Sequence, residues 1–306
     1  MDVANIELSD IRYCDRPPVL IGASSESAMA VAVRTVEAAG WRIADAVSLA
    51  STCQRIDQQV AASAIWLELD EDGGAQMDEV LSCVDKTAAG GRFPAVVSST
   101  AGLIDAVSAR LASGAAEIIV DADHAERMAA LAVVTAAAGW DQKFSDIASD
   151  QSAARLRQLS DEVSRIASTL ARLSSGPSAP PPVMEPPTRA DLPDVSANTV
   201  RSIIRARRLR GRFFPEELFA DPAWDMLLDL LQAEIAHLRV PVSSLCIAAA
   251  VPATTALRWL KTMVANGLFI RRADPHDGRR VFVELSPEAS RALHRYFAEV
   301  GNPAVV

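Results

Sequence analysis

Several features are scarce in this sequence, and each absence narrows the class of protein. The four cysteines, Cys14, Cys53, Cys83 and Cys246, share no paired spacing, which argues against a zinc site or disulfide framework and reads as reduced, mostly buried thiols. The four histidines, His124, His237, His276 and His294, are scattered. With no nucleophile elbow, no metal-ligand spacing and no glycine-rich phosphate loop, no catalytic constellation assembles, and neither an enzyme nor a metal or cofactor is expected. No run of about 18 uncharged apolar residues occurs. The opening MDVANIELSD has neither the basic start nor the apolar centre of a signal peptide, so the expectation is a cytoplasmic protein that does not enter a membrane.

What is present is a chain of 306 residues, 50% hydrophobic and 23% charged, long enough for two domains and their connections. Its formal charge of -9 disfavours nucleic acid, but the charge is unevenly spread. Residues 1–150 hold 10 Lys/Arg against 23 Asp/Glu, residues 151–196 hold 5 against 5, and residues 197–306 hold 15 against 11. Only the last third can approach a phosphate backbone without repulsion.

Between Pro18 and Ala138 short apolar runs alternate with Ala-rich stretches of helical length. The runs are VLIGA from Val19, RIADAV from Arg42, AIWLEL from Ala64, FPAVVS from Phe93 and EIIVDA from Glu117. Five such units predict a parallel sheet covered on both faces. Without a glycine-rich loop after the first run, the expected order is flavodoxin-like. The α/β domain is placed at 1–140. From 141 to 175 a helical segment follows, with Leu156, Leu159, Val163, Ile166, Leu170 and Leu173 at a 3-4-3-4-3 spacing. That seam suits a dimerising coiled coil, or the stripe of an amphipathic helix packed on its own domain. A proline-rich linker spans 176–196.

The segment 197–306 opens with Arg201, Arg205, Arg207, Arg208, Arg210 and Arg212, uninterrupted by acid. As a helix this suits DNA phosphates, Arg205 and Arg208 in particular, or a solvated face that meets the acidic domain. Pro222 to Leu238 predicts a core helix through Trp224, Leu227, Leu228, Leu231 and Ile235. Ser243 and Ser244 are expected to cap a short helix, Val251-Pro252 to break it, and Ala253 to Asn266 to form a second helix ended by Gly267. Cys246, between Leu245 and Ile247, reads as a packed core thiol, with a redox sensor as the alternative.

Two helices joined by a tight turn, then GLFIRRADPHDGRRVFVELSPEA, with Trp259, Leu260, Met263 and Leu268 at core spacing, resemble the MarR-type winged-helix regulators over about Ala223 to Val300. The resemblance implies an α+β winged helix-turn-helix that binds double-stranded DNA as a homodimer, often under a small-molecule effector. It places Thr254, Thr255, Arg258 and Lys261 on the recognition helix, although the two threonines also suit a helix cap. On the wing it makes Arg279 the residue for the minor groove, oriented by Asp277, with Arg271 and Arg280 nearer phosphates.

The first domain resembles bacterial response-regulator receivers, through VLIGASSESA, SAIWLELDEDGG and FPAVVSSTAGLIDAV. Their phosphoryl chemistry is not matched here. The metal acids fall among Ala23, Ser24 and Ser25, the phosphoacceptor on Glu68, the hydroxyl on Ser99 and the lysine on Asp121. Glu68 is either inert or a mimic of a phosphorylated state, and a register slip makes Asp70 the acceptor instead. Ser24, Ser25 and Ser27 suit helix capping better than anion binding. The expected role is a phosphorylation-independent pseudo-receiver for dimerisation or binding of a regulatory protein. The alternative for the whole chain is an adaptor whose winged helix binds protein.

Overall fold

Side chains alternate across a strand, so a strand covered on both faces must be apolar at nearly every position. Three strands meet that condition: β1 (Val19–Ala23), β3 (Ala64–Leu69) and β4 (Ala95–Ser99) are buried throughout. The structure, a computed structural model, describes residues 17–147, 195–213 and 220–300, the side chains of 137–147 excepted. The leucine seam from Leu156 to Leu173 and the proline-rich linker, except its last two residues Val195 and Ser196, lie outside the described residues. The chain divides into two compact units, Met1–Thr135 and Ala136–Val306.

In the first unit the three strands are joined by β2 (Ile43–Ser48) and β5 (Glu117–Val120), all parallel, in the order β2-β1-β3-β4-β5. That is the flavodoxin-like order, with its topological switch between β1 and β3. One face packs on α1 (Glu26–Ala38) and α5 (His124–Ile147) through Val19, Ile21, Trp66, Val96, Ile119, Val36 and Leu131. The other packs on α2 (Leu49–Gln58), α3 (Gly74–Ala89) and α4 (Ile104–Arg110) through Leu20, Leu67, Val97, Ile56, Leu81 and Val107. Gly22 is required for the approach of α2, because a Cβ there would stand 2.7 Å from Thr52 Oγ1 and 2.9 Å from its Cγ2.

The second unit starts with α6 (Ala197–Leu209), capped by Ser196, whose Oγ accepts from the Thr199 N–H at 3.1 Å. A 3₁₀ turn, Arg210–Arg212, follows. Helix α7 (Pro222–Ile235) has proline in its first turn and an Asp221 cap, and buries Met226, Leu228, Leu230 and Leu231. After it come β6 (Val240–Pro241), α8 (Val242–Ala248), α9 (Ala253–Ala265), β7 (Phe269–Ala273), β8 (Val281–Leu285) and α10 (Pro287–Val300). The strands pair antiparallel in the order β6-β8-β7.

Helices α8 and α9 are bent by 107° at their break, within the range of a helix-turn-helix, and β7–β8 form the following hairpin. The break needs a left-handed residue, which Ala250 supplies at φ 54°. Gly267, at φ 70°, ends α9. Ser243 and Ser244 are not the cap of α8: Pro241 holds that position and the helix already begins at Val242. The reason is β6, whose pairing of Val240 with Val283 and of Pro241 with Phe282 carries the strand directly into the helix. Cys246 is buried, as a core thiol should be, while its neighbour Ile247 is exposed. Among the described residues no single helix is long and apolar enough to cross a membrane.

Candidate nucleic-acid interface

Helix α9 buries Ala256, Leu257, Leu260 and Met263 against its unit and turns its other faces outward. Thr254, Arg258 and Lys261 follow one another at helical spacing along one outward edge, and Thr255, Trp259 and Thr262 along the next. Arg258, Lys261 and Thr262 are exposed, and Thr254 and Thr255 half-buried. Neither threonine caps the helix, because Pro252 occupies that position. Trp259, expected in the core, is instead 39% exposed. It sits at the flank of the buried stripe, where helical periodicity alone does not decide between inside and outside. Thr262 was missed for the same reason: it carries no charge or motif, and only the orientation of the helix reveals it.

The hairpin tip is built by aspartates. Asp274 and Arg280 close it, the Asp274 N–H donating to the Arg280 carbonyl at 3.0 Å, and Asp274 Oδ1 accepts from the His276 N–H at 2.9 Å. Asp277 Oδ1 accepts from the backbone N–H of Arg279 at 3.0 Å, and its Oδ2 lies 3.2 Å from Arg280 Nε. The carboxylate therefore orders the Arg279 backbone and pairs with the Arg280 guanidinium. Arg279 is half-buried with its Nε shielded from solvent, so it does not project freely from the tip. Arg271 is half-buried on β7, and Arg272 pairs with Glu284 diagonally across the hairpin at 2.6 Å.

Helix α6 is basic but not on all sides. Arg207 turns toward α7, its Nε 2.6 Å from Asp225 Oδ1 and its NH2 3.8 Å from Asp221 Oδ2. Arg205 and Arg208 face solvent.

A second candidate site lies at the carboxyl ends of the first sheet, where open parallel sheets bind ligands at the switch point. There the protein fills the position itself. Asp70, exposed just after β3, accepts from Ser24 Oγ at 2.7 Å, from Ser25 Oγ at 2.7 Å and from Ser27 Oγ at 2.6 Å. Ser25 is also the cap of α1, accepting from the Ala28 N–H at 3.0 Å. An anion that approached this helix start would meet a carboxylate already in place. Partial burial raises the Asp70 pKa, but hydrogen bonds from Ser27, Ser25 and Ser24 outweigh it, and the net shift is downward.

Glu68 is not poised at that edge. It is 4% exposed and shares the Trp66 face of β3. Its Oε2 accepts from Trp66 Nε1 at 2.9 Å, and its Oε1 from Ser98 Oγ at 2.9 Å and from Arg127 NH2 at 3.0 Å. Arg127 also donates to the Ala122 carbonyl. The carboxylate is thus a buried structural ion, not an exposed mimic of phosphate. Ser99 is buried on the opposite face, Ala23 carries no ligand group, and Asp121, at φ 47°, accepts from the Ala101 N–H at 3.3 Å. The structure does bring two cysteines together: burial first, then the neighbouring Cys83 thiol, Glu79 and Asp57, push the Cys53 thiol up to about 12.

No protein-family model matches the chain, and no curated protein matches it. Among solved structures it is similar to BpsR of Bordetella bronchiseptica, whose DNA binding is regulated by 6-hydroxynicotinic acid: 21% identity over 32% of this chain and 71% of that one, TM-score 0.21. It is also similar to the transcriptional regulator Tm0710 from Thermotoga maritima, with 19% identity over 34% of this chain and 79% of that one, TM-score 0.20.

Proposed function

We propose that this chain is a dimeric, non-catalytic, DNA-binding transcriptional regulator that sets α9 in the major groove and the β7–β8 hairpin on the flanking backbone. The observation that carries this reading is the outward surface of α9, where Arg258, Lys261 and three threonines are displayed on a helix without a single acidic residue. Cations there reach phosphates, and the hydroxyls and the Trp259 ring reach base edges and thymine methyl groups. Arg280, whose guanidinium is mostly exposed and pairs with the half-buried Asp277, is the wing residue best able to exchange a carboxylate for a phosphate. The first unit acts as a phosphorylation-independent pseudo-receiver for dimerisation or partner binding. Supporting that part, a carboxylate stands where a receiver needs its cation, and Asp70 is already engaged by three hydroxyls.

Selection of genomic duplex fragments on the full chain, followed by titration, tests the proposal. Arg258→Ala with Lys261→Ala should weaken the selected duplex by about 2 kcal/mol or more while thermal melts stay unchanged. Undetectable duplex binding at low salt would favour the adaptor reading, to which the Arg272–Glu284 pair also lends weight by occupying one wing cation.

A further inference from the structure

Helix α6 is fastened to α7 on one side by Arg207, half-buried and paired with Asp225 and Asp221. Arg201, Arg205, Arg208 and Arg212, spaced 4-3-4 along another side of α6, border an open groove of about 380 Å³. Its lining is completed by Ile204, Leu209 and Gln232, the last from α7. Leu209 is 43% exposed and Phe213, beyond the helix end, 73% exposed. Among the described residues no ion pair takes up Arg201, Arg205 or Arg212. Arg208 has Asp229 for a neighbour.

This surface is both basic and greasy. A phosphate backbone would satisfy the guanidinium groups but gain nothing from Ile204 and Leu209, which would be left facing its charged oxygens. A helix that carries carboxylates beside an apolar stripe satisfies both. Arginines 3 and 4 residues apart rise about 4.5 and 6 Å along the axis, the same interval at which a facing helix presents its own side chains. Arginine is enriched at the energetic centres of protein interfaces, and its guanidinium pairs with a carboxylate through two parallel hydrogen bonds. We propose that the outward face of α6 docks an acidic amphipathic helix of a partner protein, with the four arginines pairing its carboxylates and Leu209 and Phe213 covering its apolar stripe.

The test uses the full chain and three labelled probes: a synthetic helical peptide with leucines on one face flanked by glutamates, a scrambled peptide of the same composition, and a duplex selected as above. The helical peptide should bind about tenfold tighter than the scramble, and Leu209→Ser should remove about that factor while leaving duplex affinity within about twofold. Arg205→Glu should weaken the helical peptide at least as much. Equal binding of helix and scramble, or no effect of Leu209→Ser on the peptide, would overturn the proposal. So would an Arg205→Glu variant that loses duplex but not peptide, since it would assign the stripe to phosphates. Circular dichroism on each variant confirms folding. Failure of all duplex binding, with the peptide arm intact, would count against the DNA-binding reading alone.

Discussion

Glu68 and Arg127 form an ion pair that neither partner can leave without stranding the other. The Glu68 side chain is 6% exposed and that of Arg127 20%, so removal of the cation leaves a carboxylate where water hardly reaches. Arg127→Met should therefore cost about 2 to 4 kcal/mol in denaturant unfolding, the lower end allowing for the exposed part of the arginine. Adding Glu68→Gln should recover part of that loss, because the amide carries no charge, and with its oxygen toward Trp66 Nε1 its NH2 can donate to the Ser98 hydroxyl. Two losses that simply add would show that the pair is not coupled. Asp70 acts through pH instead. Its folded pKa lies below the ordinary 3.8, so its contribution is complete above that value and disappears as pH falls through the lowered one. For an exposed carboxylate that contribution is about 0.5 to 1 kcal/mol. Melts of the protein and of Asp70→Asn should differ at pH 6 and converge in acid well below the ordinary value; a constant gap would mean the serines do not stabilise the ionised form.

The helix-turn-helix depends on one strained residue. Ala250 adopts φ 54° between α8 and α9, a conformation in which Cβ crowds the backbone by about 1 to 2 kcal/mol. Glycine removes that cost but adds freedom to the unfolded chain, so Ala250→Gly should stabilise the second unit by about 0.5 to 1 kcal/mol, read as a higher urea midpoint. A lower midpoint would show that the Ala250 methyl packs usefully. The turn itself was legible, because Val251-Pro252 cannot continue a helix, and so were the strands: β1, β3 and β4 as buried, mostly apolar runs, β2 and β5, which are only partly buried, by their place in the alternation with helices. The direction of individual side chains was less so. Alternation puts Glu68 on the Trp66 face, yet its cation lies 59 residues away on α5, a distance at which no local pattern reports. The wing was read correctly as a hairpin, but not which arginine Asp277 holds: both follow it within three residues, and only the folded loop assigns its Oδ1 to the Arg279 backbone and its Oδ2 to Arg280.

At the scale of the whole molecule the sign of charge changes along the chain, from 10 basic against 23 acidic residues in 1–150 to 15 against 11 in 197–306. A duplex held at α9 and the wing would feel attraction from the contact and repulsion from the acidic remainder, and salt acts on the two differently. Contacts to phosphates release counterions, so the logarithm of affinity falls by about 0.9 per phosphate contacted for each tenfold rise in salt. Repulsion by charges that do not touch the duplex is a screened field effect, reduced within a Debye length of about 10 Å at 0.1 M and about 3 Å at 1 M. Removing residues 1–135, the first compact unit, should therefore tighten duplex binding most at low salt. The advantage over the full chain should shrink as salt rises, giving the shortened chain the steeper slope. Fluorescence anisotropy on one duplex across a salt series measures both slopes. If binding also needs the first unit to bring two copies together, the shortened chain will lose affinity at every salt concentration, by the large factor that separates one half-site from two. Those outcomes have opposite signs: a uniform loss would identify the first unit as the dimerising element, and a gain confined to low salt would limit its effect on DNA to charge.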